Sequence, residues 1–245
     1  MTVYPGGSVY QHTGDGSVYG YLFSALVPNA KRLVIIGGGT ASDVLVSNGQ
    51  LYISSGGVVY DTTIRGGTVV AFSDGVALNV TISGGSLTAS SGGTATGVTA
   101  SGGRFYASSG GVTVGGSVMS GGSGQALSGG TVSGMTVFAS GRVDALAGGS
   151  VLAPVVSGGL VYMYTGGFVS GGTIHAGTIQ GGGSAWDITV SSTGKLNLLA
   201  NASGSGLTIL SGGSLYVASG ASALAVTSNA GAKITVSSGG YIEYI

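Results

Sequence analysis

Apolar and polar residues alternate along this chain in short stretches punctuated by glycine, the period-two signature of strands with one buried face. The second glycine of a Ser-Gly-Gly-like turn falls at Gly49, Gly67, Gly85, Gly103, Gly122, Gly141, Gly159, Gly177, Gly194, Gly213 and Gly231. That is an internal repeat with a period of about 18 residues. A second turn follows eight residues later, at Gly57, Gly75, Gly93, Gly111, Gly130, Gly149 and Gly167. Each unit therefore holds two apolar segments and two glycine turns.

After the first turn, Leu51, Val69, Leu87, Phe105, Val143, Val161, Ile179, Leu196 and Leu215 form one column. Two residues on, Ile53, Ala71, Ala89, Ala107, Ala126, Ala145, Met163, Leu198 and Val217 form another. A period of two puts both on one face, which we assign to the interior. The second segment ends in Val46, Ile64, Ile82, Ala100, Met119, Val137, Val156, Ile174, Val190, Ile209 and Val226, assigned to the opposite wall. One such unit buries nothing alone, but stacked units place every column on itself and pair every strand in parallel.

The pattern predicts an all-β fold, a single parallel β-helix, right-handed as parallel crossovers nearly always are. At about 4.8 Å per coil it would be roughly 12–13 coils and about 60 Å long. Corner glycines answer the need for positive φ or close backbone approach in every coil. Residues 41–245 read as the regular solenoid. Residues 1–40 keep glycine but lose the spacing, and read as atypical N-terminal coils or a cap. At the other end, Tyr241, Ile242, Tyr244 and Ile245 fall part-way through a coil with no polar capping unit, so an open strand edge is expected there.

The run Ser83-Gly84-Gly85-Ser86-Leu87-Thr88-Ala89-Ser90-Ser91-Gly92-Gly93-Thr94-Ala95-Thr96-Gly97-Val98-Thr99-Ala100-Ser101-Gly102-Gly103 resembles the AIDA-type repeat of bacterial autotransporter passengers, as do residues 49–67 and 103–122. The resemblance covers residues 40–240. It implies a secreted or surface-exposed β-helix used in adhesion, autoaggregation or biofilm formation, with Ser and Thr often modified by heptosyltransferases. The exporting β-barrel and the signal peptide of that family are not seen in the sequence.

Charge narrows the choice of partner. Seven basic and seven acidic residues cancel, and only 6% of the chain is charged. Lys31 and Arg32 are the only adjacent basic pair, while Arg65, Arg104, Arg142, Lys195 and Lys233 are isolated along the sequence. No basic stripe is legible, so nucleic acid is not an expected partner. No apolar run reaches the roughly 20 residues of a membrane span.

Candidate chemistry is sparse. Asp43 and Asp61 lie one coil apart with Asn79 next, a stack that either forms an acid–base pair, as in polysaccharide-active β-helices, or is a solvated ladder at a turn. The turns lack the Gly-Gly-x-Gly-x-Asp of calcium β-rolls, and His12 and His175 lack ligand spacing for zinc, so no metal or cofactor is expected. Tyr52, Tyr106, Tyr162 and Tyr216 recur every third coil in one outward column, a candidate contact line for glycans or a partner protein. Thr63, Thr81 and Thr99 fall in a second outward column with Thr136, Thr189 and Thr208; by the resemblance these threonines, or Ser54, Ser90 and Ser108 at the turns, are candidate glycosylation positions.

These readings predict a non-enzymatic extracellular or cell-surface solenoid acting in adhesion, self-association or biofilm formation. Its expected partners are its own copies, glycans or surface proteins of other cells. The alternative is a filament subunit stacked end to end, with Thr2, Val3 and Tyr4 receiving Tyr241, Ile242, Tyr244 and Ile245. A polysaccharide-active enzyme is a distant third.

Overall fold

The computed structural model describes residues 1–245. Every element is a strand, and all belong to one parallel system wound into a solenoid of about 14 coils with about 18 residues each. Residues 1–40 wind as part of the same solenoid, and only the first coil is smaller than the rest. Thr2 pairs with Ser17, Ser8 with Tyr21 and His12 with Ala25, so the first coil is shorter than those that follow it.

A coil has three faces. Thr68–Ala71 lies on the first face. Val76–Ile82 then covers the second and third, bent at Asn79, whose φ is 55°. That bend recurs as a column, at Asp43, Asp61, Asn79, Gly97, Gly115, Gly134, Ala153, Gly171, Asp187, Gly206 and Ala225, with φ between 46° and 68°, and all but the two alanines are Gly, Asp or Asn. Glycine and the short Asx side chains are the residues that enter this left-handed region at least cost.

The corner between the first and second faces uses glycine differently. A Cβ on Gly111 would stand 2.0 Å from the Ala89 carbonyl oxygen, and on Gly130 1.9 Å from that of Ala107. At this second glycine of the turn the neighbouring coil approaches too closely for any side chain, while the glycine before it, Gly110 at φ 81° or Gly129 at φ 70°, supplies the positive φ.

Inside, 53 buried apolar residues form one continuous cluster that contains the expected columns. Two assignments in the third wall need correction. Val118, not Met119, pairs with Ala100 and Val137; Met119 is 41% exposed. The coil from Gly103 to Gly122 is longer than its predecessor by one residue, and the extra residue sits in the turn rather than the strand, so counting back from the glycine lands one position late. Val226 does face inward, but it stacks under Leu207, and Ser228 lies under Ile209. Thr62 and Thr113 also face inward, and neither hydroxyl oxygen has a hydrogen-bond partner.

The two ends differ. Val3, in the short first coil, is 3% exposed, with Gly7 folded beside it. In the last coil the inward positions Ile234 and Ile242 are only partly covered and Val236 is 38% exposed, because the strand edge above them is open.

Candidate interaction face

Outward positions of the first face form distinct columns. The middle one runs Val34, Tyr52, Val70, Thr88, Tyr106, Gln125, Asp144, Tyr162, Gln180, Asn197, Tyr216, Thr235, paired neighbour to neighbour throughout. The four tyrosines therefore share one line. Tyr216 is 36% exposed and its hydroxyl bonds Ser237 at 2.8 Å; the other three are half-buried against their neighbours.

The leading column shows what the sequence order concealed. Strand pairing threads Arg32, Gln50, Thr68, Ser86, Arg104, Ser123, Arg142, Leu160, Thr178, Lys195, Ser214 and Lys233 into one line. Five of the seven basic residues stand in it, and Lys31 and Arg65 lie at the corner that leads into it. A residue isolated in the sequence is here one of a row, because strand stacking turns whole-coil separations into alignment. The signal was available, since every gap between successive cations of the line is a whole number of coils.

Two carboxylates sit among these cations, Asp15 engaged by Lys31 and Arg32 and Asp144 by Arg142. Asp15 accepts from the Arg32 backbone N–H at 2.7 Å and from Lys31 Nζ at 3.1 Å, and these bonds, the backbone one foremost, hold its carboxyl below the ordinary value. Asp144 receives Arg142 Nε at 2.6 Å and Gln125 at 3.3 Å, and its hydrogen bond raises the guanidinium's own pKa. Arg142 also reaches the Tyr164 hydroxyl at 3.2 Å, and its guanidinium lies 5.4 Å from the Tyr162 ring centre. Arg32 lies over Tyr52 in the same way, at 5.6 Å. Arg65, Arg104, Lys195 and Lys233 make no salt bridge. Beside Arg142, Gly141, Gly159 and Gly177 form an open shelf that continues to Thr178 and Gln180.

The third face is uncharged and nearly all hydroxyl. Its outward column runs Leu45, Thr63, Thr81, Thr99, Ser117, Thr136, Val155, Thr173, Thr189, Thr208, Thr227. Thr81 is exposed and Thr63 and Thr99 half-buried; of the turn serines, Ser90 and Ser108 are half-buried and Ser54 is 4% exposed. Asp43 and Asp61 stack at the left-handed bend, where Asn79 donates to Asp61 at 3.1 Å, and the bend accounts for their residue type. At the ends, Tyr4, Tyr241, Tyr244 and Ile245 are 72%, 56%, 53% and 84% exposed, while Val3 points inward and contributes only its backbone edge. No helix is long and apolar enough to cross a membrane.

A parallel solenoid of about 14 coils built on glycine-punctuated repeats is the class of fold that the AIDA-type resemblance implied. A particular solved structure of that class is similar to this chain: a hyper-glycosylated fragment of TibA, TibA55-350, whose glycosylation TibC catalysed. It matches with a TM-score of 0.85 and 27% identity over 100% of this chain and 95% of the fragment. No protein-family model matches the sequence, and no curated protein does.

Proposed function

We propose that this protein acts outside a bacterial cell in adhesion, self-association or biofilm formation, and that the first face makes the contact. The observation that carries this reading is the segregation on that face. Tyrosines and basic residues stand in adjacent lines there, while the interior behind them is as regular as elsewhere. Tyrosine offers a flat apolar ring with a polar tip, suited to glycans and to protein surfaces. The likeness to the TibA fragment supports the adhesin class. The test is attachment of beads coated with the purified chain to whole bacterial cells and to a glycan array. A variant with Tyr52, Tyr106, Tyr162 and Tyr216 changed to Ser should lose attachment; full attachment by that variant would overturn the assignment of the face.

A second reading has its own observation, the half-covered Ile234, Val236 and Ile242 of the last coil. That edge accepts another coil, whether from a longer chain or from a second copy presenting Thr2, Val3 and Tyr4. Electron microscopy over a concentration series tests the latter: filaments that vanish when residues 241–245 are deleted support end-to-end assembly, and isolated rods at every concentration reject it.

The hyper-glycosylation of the TibA fragment suggests the same modification here, on the accessible hydroxyls Thr63, Thr81, Thr99, Ser90 and Ser108 rather than on the buried Ser54. Intact-mass measurement after co-expression with TibC tests it: a ladder of sugar-sized increments supports the modification, and an unchanged mass rejects it.

A further inference from the structure

The basic line has a feature that adhesion in general does not require: its charges are sparse and set whole coils apart. Arg104 to Arg142 and Lys195 to Lys233 each span two coils, Arg142 to Lys195 three and Arg32 to Arg104 four. At about 4.8 Å per coil these steps are about 10, 14 and 19 Å. Duplex DNA carries a charge every ~1.7 Å and rewards dense clusters of cations, which this line does not offer. Steps of two and four coils match the rise of one and two disaccharides in an extended polysaccharide, and the three-coil step from Arg142 to Lys195 falls between them.

The surroundings favour sugar as well. Tyr106, Tyr162 and Tyr216 stand in the next line, within reach of the same chain, and present rings on which pyranose faces pack. The glycine shelf at Gly141, Gly159 and Gly177 lets a polymer lie close to the backbone beside Arg142. Five acids lie away from this edge: Asp43, Asp61 and Asp187 at the left-handed bend, Asp74 at the corner between first and second faces, and Glu243 in the last coil. A chain of zero net charge is thus polar across its section, with seven cations and two engaged carboxylates along one edge.

We propose that the first face binds a non-sulfated anionic polysaccharide carrying about one carboxylate per disaccharide, laid along the solenoid axis. Its carboxylates meet Arg104, Arg142, Lys195 and Lys233, and its sugar faces meet the tyrosine line. This rests on the adhesion reading and names the ligand class for the same face.

The experiment measures binding of hyaluronan, which has one uronate per disaccharide, to the untagged full chain at low and at physiological salt. Neutral dextran, heparin and duplex DNA are run as comparators. The expected result is saturable hyaluronan binding that weakens with salt, no dextran binding, and a loss of tenfold or more in a variant with Arg104→Gln, Lys195→Gln and Lys233→Gln. These three are exposed and unpaired, so the variant should melt with the parent. Unchanged hyaluronan affinity in a folded triple variant, no binding at low salt, or affinity for heparin or DNA more than tenfold above that for hyaluronan would each overturn the proposal. If whole-cell attachment still depends on the tyrosines in any of those cases, the adhesion reading stands and only the ligand class fails.

Discussion

The first and third faces of this solenoid are alike within and unlike without. Behind each runs a line of buried, mostly apolar residues, among them Leu51, Val69 and Leu87 behind the first and Val46, Ile64 and Ile82 behind the third, all fully buried. In front, the first face carries the cations and the tyrosines, while the third carries threonine after threonine. The inward columns answer to packing, which is the same in every coil, and cross-strand threonine pairs support a sheet without further purpose. The outward columns of the first face are under no such demand, so their chemistry is free to serve contact with something else.

The hardest way to break the comparison is from within, where the faces should not differ. Ile82→Asp behind the third face and Val69→Asp behind the first both put a carboxylate where no partner exists. Each should cost more than about 4 kcal/mol and unfold neighbouring coils, read as loss of the melting transition. A retained melting temperature in either would refute the inward assignment. Next comes the corner: Gly111→Ala forces a Cβ to within 2.0 Å of the Ala89 oxygen and should cost about 3 kcal/mol by chemical denaturation. Gly115→Ala meets nothing within 4 Å, and its φ of 64° should cost only about 1 to 2 kcal/mol. Thr113→Val removes a buried hydroxyl that has no partner and should stabilise by about 1 kcal/mol, raising the melting temperature.

The faces should part company only at the surface. Tyr106→Ser and Thr99→Ser are each expected to shift stability by less than about 0.5 kcal/mol, and only the tyrosine change should weaken attachment. Smallest of all is the effect of acid on Asp15. Its carboxyl titrates lower folded than unfolded, so its contribution is present above the unfolded value, about pH 4, and is lost as pH falls through the folded one. Protection of the Arg32 N–H against hydrogen exchange, taken relative to its intrinsic rate at each pH, should fall there before that of the central coils.

The interior was legible in the sequence because each coil repeats the same packing demand, so an apolar residue at one position forecasts its counterpart in the next coil. Legibility failed at Met119 and Val226, where a turn insertion or a polar residue in the column broke the count while the strand pairing stayed in step. The tyrosines could be aligned from the sequence, since their line sits between two apolar columns that fix its register. The basic line escaped because isolated arginines and lysines carry no local pattern; only translation into coils shows that Arg32, Arg104, Arg142, Lys195 and Lys233 coincide. The first coil was opaque for a different reason. It is shorter and follows another period, and its closure over Val3 depends on circumference rather than on any motif.

The most direct test sets two folded surface variants side by side: one with the four tyrosines of the first face changed to Ser, the other with Thr63, Thr81, Thr99 and Thr136 changed to Ser. Both are measured for attachment to whole bacterial cells after matched melting curves. The account predicts loss of attachment in the tyrosine variant and parental attachment in the threonine variant. Attachment that survives the first set of changes, or falls with the second, would contradict it.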